Sequence, residues 1–243
     1  MLIVNADDWG RTAAETDAAL HCFSKGRITS ATAMVFMADS ERAARIALER
    51  DIPVGLHLNF TEAPTDPRAD TRFLLEHRRL VKSLTRTRYS VVALNPFLRH
   101  SFCSVFQFQL DEFVRLYKKP PTHFDGHKHF HLCSNMLLAA PIPTGQKVRR
   151  TFSFTVSEKG LANWLYRRAL DRWVTKRYRT TDYFFALSQR LTDARLAAVA
   201  QLARQANVEL MTHPIVSEER DLLLSPEFEV QLAGISTKSF ADL

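Results

Sequence analysis

The order of apolar and polar positions divides the chain into short apolar runs separated by amphipathic segments. Residues 2–4 form an apolar run that stops at Asn5-Ala-Asp-Asp8, the pattern of a buried strand ending in polar residues. Over 12–23 the period is helical, with Ala13, Ala18, Leu20 and Cys22 among polar positions and Lys25-Gly26 as the stop. Residues 32–37 read as a second strand and 53–60 as a third. Between them 40–50 reads as a helix with Ala43, Ala44, Ile46 and Ala47 on its inner side. Three strands alternating with two helices predict a parallel sheet with helical crossovers, hence an α/β fold.

Further along, 61–70 holds two prolines and several polar residues and reads as a loop. Residues 74–117 are largely helical with a break near Pro96, and 122–132 alternate as a strand. Weaker patterns predict extended chain at 147–156 and 183–187 and a helix at 161–178. A helix at 192–206 rests on Leu196, Val199, Ala200 and Ala203; a last strand follows at 208–212, and a helix begins at Pro226. The 243 residues contain no internal repeat, and α/β barrels of about this length form one domain, so a single domain over 1–243 is expected.

The formal charge of +7 lies largely in Lys147, Arg149, Arg150 and the run from Arg167 to Arg179. Such a patch can attract nucleic acid, an anionic membrane or an acidic substrate. Arg168, Arg172 and Lys176 nevertheless fall at i, i+4, i+8, with Trp164, Leu170 and Trp173 available to a core, the arrangement of a solvated helix face. No nucleic-acid motif accompanies the charge, and no nucleic-acid partner is expected. Cys22, Cys103 and Cys133 are odd in number, widely spaced and outside any CxxC, so they read as reduced thiols. No signal peptide fits before Asp7, and no run reaches the roughly 18 apolar residues of a membrane span. A cytoplasmic location is expected; a homodimer is left open.

Polar residues gather at the ends of predicted strands: Asp7-Asp8, His57 with Asn59, Asp125-Gly-His127-Lys-His129-Phe-His131, and His213-Pro. In parallel α/β folds these ends form one face on which sites are assembled. Five of the nine histidines lie there. On a continuous strand Asp125, His127, His129 and His131 would share a face, a polar load that suits a divalent cation. Those not binding directly would orient the others. Of Asp7 and Asp8, one carboxylate could bind the ion while its neighbour takes a proton from water. Walker A, GxGxxG, HExxH and nucleophile-elbow patterns are absent from the sequence.

Four segments, Asn5-Ala-Asp-Asp-Trp-Gly10, Gly55-Leu-His-Leu-Asn-Phe-Thr61, Thr122-His-Phe-Asp-Gly-His-Lys-His-Phe-His131 and Met211-Thr-His-Pro214, together resemble the YdjC-like carbohydrate deacetylase family. That family includes chito-oligosaccharide deacetylases and proteins associated with hopanoid biosynthesis. The resemblance implies a distorted (β/α) barrel-like fold and hydrolysis of an N-acetyl group on a sugar or oligosaccharide. It implies one divalent ion, magnesium or zinc, held by Asp8, His57 and His127. Asp7 would then activate water and His213 protonate the departing amine. Asn59, Asp125, His129 and His131 would line the substrate, with Trp9 or Phe60 as sugar-stacking candidates. The basic, aromatic segment 72–108 would shape the cleft, and Arg149, Arg150 and 179–184 look like substrate-side features. The alternatives are hydrolysis of another bond, such as a phosphoester or non-sugar amide, and a catalytically silent sugar-binding protein.

Overall fold

The computed structural model describes residues 1–153, 160–189 and 193–243. Its strands are β1 (Leu2–Trp9), β2 (Ser30–Ala33), β3 (Val54–Leu58), β4 (Phe124–Gly126), β5 (Tyr183–Ala186) and β6 (Val208–Thr212). They are ordered β4-β3-β2-β1-β6-β5 in one six-stranded sheet. Every residue of β1, β2, β3, β4 and β6 is buried, which explains why β1, β3 and β6 read as apolar runs without clean alternation. The helices between them are α1 (Ala13–Ser24), α2 (Ser40–Glu49), α3 (Thr71–Leu84), α4 (Arg99–Tyr117), α5 (Ser134–Ala139), α6 (Leu161–Arg177) and α7 (Asp193–Ala203). Two more, α8 (Ser217–Leu224) and α9 (Pro226–Leu232), follow the last strand. The expected α/β class is what the chain adopts, with six described strands where a complete barrel has eight.

The chain divides into two compact units, one of residues 1–7, 17–31 and 144–243, the other of residues 8–16 and 32–143. In the second unit β3 and β4 pair in parallel, which sets His57 beside Asp125 in register. Gly55 on β3 is required by close approach. A Cβ there would stand 2.4 Å from the His123 ring and 2.8 Å from the His123 carbonyl. Phe60 packs on Phe102 and Phe73 on Phe36, while Trp9 is wholly buried and donates its indole N–H to the Ala43 carbonyl. Trp9 and Phe60, which could either stack on a sugar or pack in the core, are core residues with no face left for a sugar. Asp70 caps α3, accepting from the Arg72 and Phe73 amides.

In the first unit β1, β6 and β5 run parallel, with Leu2 opposite Val208 and Tyr183 opposite the same residue. The terminal ammonium donates to the Ala203 and Ala206 carbonyls, tying the start of β1 to the end of α7. Lys147 bridges to Arg179, so only the start of the predicted extended segment 147–156 pairs; residues 149–153 join no strand, and 154–156 lie outside the described residues. Helix α6 buries only Val174. Arg168, Arg172 and Lys176 are exposed as expected, but Trp164, Leu170 and Trp173 are only half-buried.

The largest departure from the sequence reading lies at 122–132. Strand β4 covers only three residues, and 127–132 turn back in a short helical coil. Lys128 and His129 take left-handed backbone, φ 52° and 60°, which ends the two-residue alternation. Asp125, His127, His129 and His131 consequently do not share a strand face. Among the described residues no helix is long and apolar enough to cross a membrane.

Candidate metal centre

The second unit gathers Asp8, His57 and His127 so that one ligand atom from each lies within 4.8 Å of the others. Asp8, one residue before the end of β1, has φ 62°, a left-handed conformation that aspartate tolerates better than most residues. His57 is central on β3, and His127 is the first residue beyond β4. All three are buried.

Each imidazole stands between two carboxylates. Asp8 Oδ1 is 3.3 Å from His57 Nε2 and 3.1 Å from His127 Nδ1. On their far sides, His57 Nδ1 lies 2.8 Å from Asp125 Oδ1 and His127 Nε2 lies 3.1 Å from Glu62 Oε2. A neutral imidazole has one N–H to offer and an ionised carboxylate only accepts. One nitrogen of each neutral ring is thus left facing a carboxylate lone pair to lone pair. If Asp125 takes the His57 N–H, the free Nε2 faces Asp8, and a divalent cation would relieve that contact; His127 Nε2, with Glu62 at ion-pair distance, makes no hydrogen bond. The residues fit a metal, and outer carboxylates that fix the ring tautomers are the usual companions of histidine ligands. Burial alone would raise the Asp8 carboxyl. The hydrogen bonds to His127 and His57, with the charge of those rings, outweigh burial and hold Asp8 far below the usual carboxylate range.

Glu62 and Arg11 carry no signal in the sequence pattern. Arg11 joins the carboxylates around the site, with Nε 2.8 Å from Glu62, Nη1 2.8 Å from Glu15 and 3.4 Å from Asp8. Asn59 positions Glu62. Its side-chain carbonyl accepts from the Thr61 and Glu62 amides, and its amide donates to the Glu62 carbonyl. His131 is buried and packs across Gly126, where a Cβ would meet it at 3.1 Å. His129 lies on the left-handed turn with its ring 6.3 Å from that of His131.

The remaining candidates belong to the first unit. Asp7 is buried on β1, and Arg149 grips it through two bonds, Nη1 to Oδ2 at 2.6 Å and Nη2 to Oδ1 at 2.7 Å. Asn5, two residues back on the same strand face, donates to Asp7 Oδ1 at 2.9 Å. Arg149 also donates from Nε to Glu209 on β6 at 2.6 Å and lies over the Phe184 ring. The guanidinium is completely buried, so Arg149 is an internal counter-ion and not the substrate-side surface residue expected. Arg150 likewise turns inward, pairing with Asp171 at 2.7 Å and donating to the Thr181 and Asp182 carbonyls. His213 follows β6 with its side chain 31% accessible. Glu219 on α8 accepts from the His213 amide at 2.7 Å and from the Thr212 hydroxyl, fixing the turn that carries the imidazole.

The family described as YdjC-like protein matches residues 1–234. The chain is 32% identical over 136 residues to a carbohydrate deacetylase of Mus musculus, covering 54% of this chain and 43% of that protein. It is 31% identical over 137 residues to a chitooligosaccharide deacetylase of Serratia marcescens, covering 51% of it. These matches thus span about half the length of those relatives. A chitooligosaccharide deacetylase of Enterobacter sp. (strain 638) is 27% identical over 262 residues, 100% of this chain and 99% of that one. A solved structure, a putative cellobiose-phosphate cleavage protein from Enterococcus faecalis V583, superposes with TM-score 0.68 over 99% of this chain and 97% of that one. At 17% identity it speaks for the fold alone.

Proposed function

The chain belongs to the YdjC-like family, and from that premise we propose that it is a metal-dependent hydrolase that removes an N-acetyl group from a sugar or oligosaccharide. The observation that carries the reading is the Asp8–His57–His127 cluster with a further carboxylate behind each imidazole. A divalent ion held there, magnesium or zinc, would supply Lewis acidity toward the acetamide carbonyl and toward water. Asp125 pairs with His57 Nδ1 and sets which nitrogen that ring presents, while Glu62 stands at ion-pair distance from His127. Asp7, the chain neighbour of Asp8, takes the proton from the attacking water, and Arg149 with Asn5 fixes its orientation. His213 gives a proton to the departing nitrogen, from a turn organised by Glu219. The products are acetate and a free amine. Asn59 serves this site by shaping the loop that brings Glu62 to His127.

The test is acetate release from short chitin oligomers, single N-acetylhexosamines and lipid-linked glycans. Wild type is compared with Asp7→Asn, before and after chelation. Release that requires both the ion and Asp7 is the expected outcome. No release from folded, metal-loaded protein across the panel overturns the deacetylase reading and favours another hydrolysed bond.

A further inference from the structure

A cavity of about 750 Å³ lies wholly within the first unit, walled by α6, α7 and β5. That is the size of a site for a small molecule. Its lining includes five arginines against two aspartates. Both aspartates are already engaged. Asp171 accepts from Arg150 and from the Thr151 amide and hydroxyl, and Asp182 accepts from the Asn207 amide. Among the described residues no carboxylate lies within ion-pair distance of Arg168, Arg172 or Arg195. Arg168 lies over the Trp164 ring at 5.0 Å, and Arg195 donates to the Gln189 carbonyl. The lining therefore presents cations whose charge no carboxylate of the described residues balances.

Much of the rest of the lining is apolar. Tyr183 and Phe185 project to the same side of β5 with rings stacked 6.3 Å apart, and α7 adds Val199 and Leu202. The apolar character continues outward on α6, where Leu161 is 59% and Leu165 52% exposed beside Arg168 and Arg172. A free phosphate would use only the cations; a neutral sugar or hydrocarbon would use only the floor. Charge and surface are complementary to one class of ligand.

We propose that this cavity binds an amphipathic anion, with a phosphate or carboxylate head on Arg168, Arg172 and Arg195 and an apolar body over Tyr183, Phe185 and Leu202. Such a head occurs on anionic lipids and on soluble phosphorylated or carboxylated apolar metabolites. The inference does not depend on the deacetylase reading.

The test is calorimetric titration with dodecyl phosphate below its micellar concentration, beside inorganic phosphate and dodecyl maltoside, all in chelator so that no metal-dependent step contributes. Dodecyl phosphate is expected to bind one per chain, about tenfold or more tighter than either control. The double variant Arg168→Ala/Arg172→Ala, altered at two exposed positions, should keep the wild-type thermal midpoint and lose about tenfold or more of that affinity. Equal affinity for inorganic phosphate, no binding, or undiminished binding by the double variant overturns the proposal. Sedimentation with phosphatidylglycerol or phosphatidylcholine vesicles separates the sources. Arginine-dependent pelleting with the anionic vesicles alone identifies a lipid, and dodecyl phosphate binding without pelleting identifies a soluble ligand.

Discussion

Asp8 turns out of β1 with φ 62°, and the two rings it faces are each backed by another carboxylate. Glu62 is the less obvious of these partners, since its side chain is 26% accessible and it shares Arg11 with Glu15 and Asp8. Replacing Glu62 by Gln keeps the shape of the loop but removes the negative charge that faces His127 Nε2. Divalent-ion affinity, titrated with zinc, should fall about 10–100-fold. Asp8→Asn should abolish specific binding, and an unchanged affinity in Glu62→Gln would show that His127 needs no such support. Arg149 poses a different problem, because it neutralises two buried carboxylates, Asp7 and Glu209. Arg149→Met leaves both without their cation. A loss of about 3–5 kcal/mol in urea unfolding is expected, as for one partner removed from a buried ion pair. A loss under about 1 kcal/mol would mean that water or other groups replace the guanidinium.

At the scale of elements, the same local chemistry explains what could be read from sequence and what could not. Strands β1, β3 and β6 were legible because each is a short apolar run ending in polar residues. Helix α2 was legible because Ser40, Ala43, Ala44 and Ala47 recur at helical spacing on its buried side. The segment 122–132 misled because Asp125, His127, His129 and His131 alternate in sequence while the backbone at Lys128 and His129 is left-handed. Neither lysine nor histidine announces a positive φ as glycine does. Asp8, His57 and His127 stand among the polar residues at strand ends and the family resemblance singles them out as ligands, but the roles of Glu62, Arg11 and Arg149 could not be read. Their roles depend on which loops and strands come together, and an arginine in a basic run looks the same whether solvated or buried. Gly55 offers the sharpest element-level test. His123 occupies the space above it, and backbone as well as ring stands in the way. Gly55→Ala must shift β3 against β4, and with them the register of His57 on Asp125. A cost of about 1–3 kcal/mol in chemical denaturation is expected, together with weaker metal binding. Stability within about half a kcal/mol of wild type would show that the pair slides freely.

For the molecule as a whole, buried ionisable groups set how stability follows pH. His77 on α3 is buried against Phe73. Burial pulls its imidazole down from 6.5 to about 4, against a smaller opposing hydrogen bond with the Asn59 backbone. The folded chain therefore binds fewer protons at this residue than the unfolded chain between those two values. Linkage gives the sign: the contribution is complete above about pH 6.5 and is lost as pH falls toward 4, to a total on the order of 3 kcal/mol. Asp8, held below its usual range, keeps its contribution until still lower pH than His77 does. Urea midpoints measured in steps from pH 8 to pH 4 in chelator should decline mainly below pH 6.5. His77→Leu, which fills a similar volume without a titrating group, should flatten that decline while leaving the plateau near neutrality within about 1.5 kcal/mol. An undiminished acid slope in this variant would assign the loss to other groups. Excess zinc added at neutral pH should raise the wild-type midpoint, by about 2.7 kcal/mol at a hundred times Kd, and leave Asp8→Asn where it was. The acid slope and the metal increment then report on different parts of the second unit, one on the packing behind α3 and the other on the carboxylate–imidazole cluster.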